Sequence, residues 1–120
     1  GFNENIEVIE FLIKSGASVN DRDNNGNMPI FYAAEHQADP KVIEFLIKSG
    51  ASVNDKNDLG ETPLMFCAKY GKSPEIIMTL LKAKSNGKAK SLLGMTAFDY
   101  AQDNENIKDT DAYWELSNAR

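Results

Sequence analysis

Hydrophobic residues recur along this chain at helical spacing, in short runs separated by polar, glycine-bearing segments. Ile6, Val8, Ile9, Leu12 and Ile13 share one face of a helix predicted over residues 5–15. Asn5 stands at its N-cap, Lys14 complements the dipole in its last turn, and Gly16 can end it in the left-handed conformation. Residues 17–20 read as extended, and the stretch DRDNNGN from Asp21 to Asn27 is dense in turn formers. Pro29 then opens a short helix whose Ile30, Ala33 and Ala34 present a small-residue face, and Asp39-Pro40 caps and starts a longer one. The same sentence of elements follows again: a turn at Asn57–Gly60, a short helix behind Thr62-Pro63 through Ala68, and a longer one from Ser73-Pro74 to about Ala83.

The recurrence is literal in one place. The fourteen letters VIEFLIKSGASVND occupy Val8 to Asp21 and again Val42 to Asp55, 34 residues on, and Gly26, Gly60 and Gly94 keep the same offset. A period of this size marks a stacked repeat array, and so long an identity reads as recent duplication. The units fall at 5–22, partial, then 23–56, 57–90 and 91–120. In the last, Thr96, Ala97, Phe98 and Ala101 stand where Thr62, Pro63, Leu64 and Cys67 stand before, and Asp109 or Thr110 can cap a final helix carrying Ala112, Tyr113 and Leu116. Its weaker pattern suits a terminal capping unit, whose outer face meets water.

The unit Gly60-Glu61-Thr62-Pro63-Leu64-Met65-Phe66-Cys67-Ala68, followed by a helix and an ending such as Gly50-Ala51-Ser52-Val53-Asn54, closely resembles the ankyrin repeat over residues 5–120. The resemblance implies an all-α solenoid of stacked antiparallel helix pairs with hairpin-like loops along one edge. Departures are local. Met28 replaces the family's capping threonine, Phe31 and Met65 stand where histidine is frequent, and each full unit is one residue longer than the usual ~33, the excess falling at residues 37–39 and 71–73. Lys84 to Lys88 replace the Gly-Ala-x-Val-Asn ending, so a different shape is expected for the third hairpin. The first unit holds only its second helix, which predicts Val8, Phe11 and Leu12 partly uncovered and a chain that is a fragment of a longer array.

Composition narrows the chemistry. Across 120 residues, 42% hydrophobic, the net charge is −5, which disfavours nucleic acid and anionic membrane as partners and favours a basic or neutral protein. One cysteine, Cys67, and one histidine, His36, supply neither a disulfide framework nor a metal quartet nor a triad, so no cofactor, metal or enzyme activity is expected. No apolar run reaches the ~18 residues of a membrane span, so a soluble chain is expected. A cytoplasmic setting is favoured, although compartment is not readable from these residues. Asp21-x-Asp23-x-Asn25-Gly26 imitates half a calcium loop, but Tyr32 replaces the bidentate glutamate and Pro29 starts a helix inside it, so the turn reading prevails. Cys67 is in register with Ala33 and reads as core. Lys82, Lys84, Lys88 and Lys90 form a basic cluster, readable as a solvated helix end or as a guide for an acidic partner. Tyr113 and Trp114 are expected to seal the end of the stack, the alternative being an end-on contact or oligomer.

In ankyrin proteins the hairpin tips and the outer part of the first helices commonly form the partner surface. Carried over by register, this selects Leu59, Tyr70, Leu92, Leu93 and Met95, with polar companions Asn25, Asn27, Glu35, His36, Asp58, Glu61, Lys69 and Asp103. Leu92 and Leu93 either bind or fold inward over the altered third hairpin. The expected function is a non-catalytic scaffold that binds a protein through loop tips and concave face. The alternative is a structural or oligomer-forming part of a larger protein whose activity lies upstream of residue 1. The chain is expected to be monomeric, or weakly self-associating through the uncovered N-terminal face.

Overall fold

A computed structural model describes residues 19–36 and 39–120, without the side chain of His36. The predicted first helix with its exposed face, and residues 37–38, lie outside the described residues. Six helices and no strand occur among those described: α1 Pro29–His36, α2 Pro40–Lys48, α3 Pro63–Tyr70, α4 Pro74–Lys82, α5 Ala97–Ala101 and α6 Asp111–Ala119. Successive helices pair as α1 with α2, α3 with α4, and α5 with α6. Side by side, α1, α3 and α5 form one layer and α2, α4 and α6 the other, giving the expected all-α solenoid.

Four of the six described helices begin where a side chain satisfies an orphan amide of the first turn. Asp39 accepts a hydrogen bond from Lys41 N, Thr62 from Met65 N, and Thr110 from Tyr113 N. Thr96 and Asp99 form a reciprocal capping box. Ser73 occupies an N-cap position but makes no side-chain cap bond, so Pro74, with its fixed φ and no amide hydrogen, starts α4 unaided. The apolar faces of the longer helices repeat one spacing: Val42, Ile43 and Leu46 on α2, Ile76, Ile77 and Leu80 on α4, Ala112, Tyr113 and Leu116 on α6 are all buried. In the other layer the small residues Ala33, Ala34, Cys67, Ala68, Ala97 and Ala101 are buried between neighbouring helices, while Phe31 and Phe66 meet edge to face at 5.3 Å.

The third hairpin does not change shape. Lys84 takes φ 69° where Gly50 takes 99°, and the bonds that close the turn are the same: Ala51 N to Leu46 O at 2.9 Å, Ser85 N to Leu80 O at 3.1 Å. One left-handed residue is all the turn requires, and lysine can occupy that region at a cost of about 1–2 kcal/mol. Ser85, standing in register with Ala51, is buried there with no partner for its hydroxyl. The expectation for the last helix holds for one aromatic only. Tyr113 is buried against Phe98, ring centres 4.9 Å apart, whereas Trp114, one position on and so turned off that face, is 53% exposed.

Polar side chains tie each unit to the next at matching places. Asn20 donates to Gly50 O and accepts from Ser52 N; Asn54 donates to Lys84 O and accepts from Asn86 N. Arg22 reaches Lys56 O, and Lys56 reaches Lys90 O.

Candidate functional site

The loop edge is built by three side chains in register, Asp23, Asn57 and Ser91. Asp23 Oδ1 accepts from the amides of Asn25 and Asn27, and Asn57 Oδ1 from those of Leu59 and Glu61, all at 2.9–3.0 Å. Ser91 Oγ, with one short hydroxyl, accepts from a single turn amide, Leu93 N at 3.3 Å. The would-be calcium carboxylate Asp23 is thus spent on its own turn, and its other oxygen accepts from the Tyr32 hydroxyl. That bond, and then the Asn27 amide, hold its carboxyl below the usual 3.8. No group of three or more potential metal ligands occurs among the described residues.

Successive turns stack through backbone bonds, Asp58 N to Asn25 O at 3.1 Å and Leu92 N to Leu59 O at 3.0 Å. Gly60 permits this twice over. Its φ is 73°, and a Cβ there would stand 2.9 Å from Leu92 N. The stacking carries Leu59 beside Leu92 and Leu93 at the tips, with the last two 75% and 78% exposed. They project outward instead of folding over the hairpin, and Tyr100 nearby is buried, its hydroxyl donating to Ser91 Oγ at 2.9 Å.

Below the tips lies a groove of about 360 Å³ lined by Asn25, Asn27, Asn57, Asp58, Leu59, Glu61, Phe66 and Tyr70. Phe66 and Tyr70 contact each other edge to face at 5.0 Å and, with Leu59, supply its apolar wall. Two residues expected on the open surface belong instead to its floor: Glu61 is 2% and Asn27 8% exposed. The cause is Asn57, whose amide nitrogen donates to Asn27 Oδ1 at 2.9 Å and Glu61 Oε1 at 3.1 Å and draws both inward. Lys69 Nζ neutralises the buried carboxylate from 3.3 Å and lies over the rings of Tyr70 and Tyr100, at 4.9 and 5.5 Å. Interaction with Tyr70 is the largest cause raising the Lys69 pKa above 10.5, helped by Glu61 against partial burial.

Of the thirteen residues selected by sequence, six meet in this groove: Asn25, Asn27, Asp58, Leu59, Glu61 and Tyr70. Leu92 and Leu93 adjoin it through Leu59, and Lys69 braces it from behind Glu61. Met95 is partly buried and packs against the core. Glu35 is half-buried and Asp103 exposed, neither lining the groove, and His36 belongs to α1. Phe66 and Asn57 were not selected. Their register partners Tyr32, itself exposed, and Asp23 carried the signal for both.

The groove can offer an incoming side chain aromatic and leucine surface over a hydrogen-bonded polar floor. Cys67 takes no part. It is buried, and burial pushes its thiol up to about 12, so it keeps its proton. No helix among the described residues is long and apolar enough to cross a membrane. Family models described as "Ankyrin repeats (many copies)" and "Ankyrin repeats (3 copies)" match residues 2–47 and 37–111. No curated protein matches the chain closely enough to count as a relative.

Proposed function

Because the chain belongs to the ankyrin repeat family, whose members are generally protein–protein interaction modules and typically not catalysts, we propose that it binds a protein partner through the groove and the leucine tips. Leu59 is the hinge of this reading. It is 59% exposed, lines the groove with Phe66 and Tyr70, and is tied to Leu92 of the next tip through a backbone bond, so the exposed leucine tips adjoin the groove. Such an apolar strip with a polar margin at Asn25 and Asp58 is the usual make-up of an interaction surface. The stacked turns hold it in place before binding, which limits the entropy lost on association. Repeat boundaries at 22/23, 56/57 and 90/91 belong to the same proposal.

Affinity capture with the wild-type chain and with Leu59→Asp plus Leu93→Asp tests it. Both side chains are exposed, so the double variant keeps the wild-type melting transition. Proteins recovered by the wild type are expected to be depleted at least roughly ten-fold with the variant, the scale of losing one or two apolar contact residues. Equal recovery by a folded variant removes this surface.

A further inference from the structure

A second charged surface shares no residue with the groove. Lys82, Lys84, Lys88 and Lys90 are all exposed, and no carboxylate pairs with any of them among the described residues. Two lysines of the preceding unit join them: Lys56 Nζ donates to Lys90 O at 3.1 Å, and Lys48 lines the same shallow cleft as Lys82. Six lysines thus gather on a chain of net charge −5, with Glu44 the one carboxylate lining that cleft.

Register explains the imbalance. Arg22, Lys56 and Lys90 occupy one position, and the first two are preceded by Asp21 and Asp55, the third by Ala89. Arg22 is bonded to two carbonyls and paired with Asp55 at 3.4 Å, while Lys90 has no acid beside it. Lys88 stands where Asn20 and Asn54 tie neighbouring units together, and Lys84 where Gly50 makes the left-handed turn. The third hairpin has therefore exchanged an acid, a structural amide and a glycine for one alanine and two cations, keeping the backbone shape and accepting the strain at Lys84.

We propose that this lysine edge binds an acidic protein segment, an extended stretch rich in Asp and Glu laid across the third hairpin between the Lys48–Lys82 cleft and the Lys56–Lys90 contact. At physiological ionic strength charges act over about 8 Å, so a short acidic segment meets the patch and little of the remaining, negative chain. A long nucleic acid or a membrane surface meets both. The residues between the lysines are alanine, serine, asparagine and glycine, which offer no aromatic ring for a base to stack on and leave room for a peptide backbone to approach.

The test is fluorescence anisotropy with a fluorescein-labelled Glu-Ser repeat peptide, at low salt and at roughly 0.15 M. Binding that weakens as salt rises is expected. The variant Lys82→Glu/Lys88→Glu/Lys90→Glu, which leaves Lys84 in place, is expected to bind roughly ten-fold more weakly or worse. Leu59→Asp is expected to bind like wild type, so failure of the groove and failure of the lysine edge are told apart. Should the charge-reversed chain melt early, Lys82→Gln/Lys88→Gln/Lys90→Gln is measured in its place with the same expectation. Absence of binding at low salt, full binding by a folded variant, or tighter binding of labelled single-stranded DNA or of phosphatidylserine vesicles than of the peptide overturns the proposal.

Discussion

Asn57 does more for the groove than any residue chosen for display on it. Its side chain caps its own turn through Leu59 and Glu61 and fixes Asn27 and Glu61 in the floor. Asn57→Ala leaves buried acceptors and a buried amide without partners, each worth ~1–3 kcal/mol, so a loss of roughly 3 kcal/mol in urea unfolding is expected, and one below ~1 kcal/mol would count against this account. Asp23, its counterpart one unit earlier, makes the same turn with a charge. Its folded pKa lies below 3.8, so the unfolded chain takes up a proton first. The stability it contributes is present in full above the unfolded value and disappears as pH falls through the folded one. Melting temperature is therefore expected to fall more steeply below about pH 4 for wild type than for Asp23→Asn, and parallel profiles would sink the claim. Both roles were legible in part. Register exposed the recurring Asp/Asn/Ser position, but whether Asn27 and Glu61 face water depends on the branched amide of Asn57, which hydrophobic pattern does not report.

At the scale of elements, capping chemistry and period together placed all six described helices. The expected ends differ little from those found, α3 running to Tyr70 instead of Ala68. The third hairpin keeps its shape despite its changed letters, because one left-handed dihedral decides it. Lys84 meets the demand at φ 69° with strain, so Lys84→Gly is expected to raise stability by up to ~1 kcal/mol in urea unfolding, strain relief outweighing the entropy glycine adds to the unfolded chain. A destabilised variant would show that the lysine side chain contributes more to the fold than its conformation costs.

For the whole molecule, the repeat sets the layers and the differences between copies set the surfaces. The stretch shared by Val8–Asp21 and Val42–Asp55 proves, where it is described, to be core and turn base: Val42, Ile43, Leu46 and Ala51 are buried. The two candidate surfaces lie instead where copies diverge, Leu59 and Leu93 against Asn25, and Lys84, Lys88 and Ala89 against Gly50, Asn54 and Asp55. This much was readable by comparing the chain with itself. The meeting of six selected residues in one groove was not, because it depends on how turns from adjacent units stack.

The bonds between units have one more property. Asn20 and Asn54 each reach forward to the unit ahead through the side-chain amide, and Arg22 and Lys56 do so through their cationic ends, each meeting a backbone carbonyl. A unit copied from the first two therefore arrives already carrying its own forward connector and its own acceptor for the connector behind it. A gene segment duplicated in frame at this period extends the array without leaving a stranded amide at the new joint, so growth by unequal crossing-over meets no structural penalty at the seam, and new surface can be tried out before any compensating mutation has occurred.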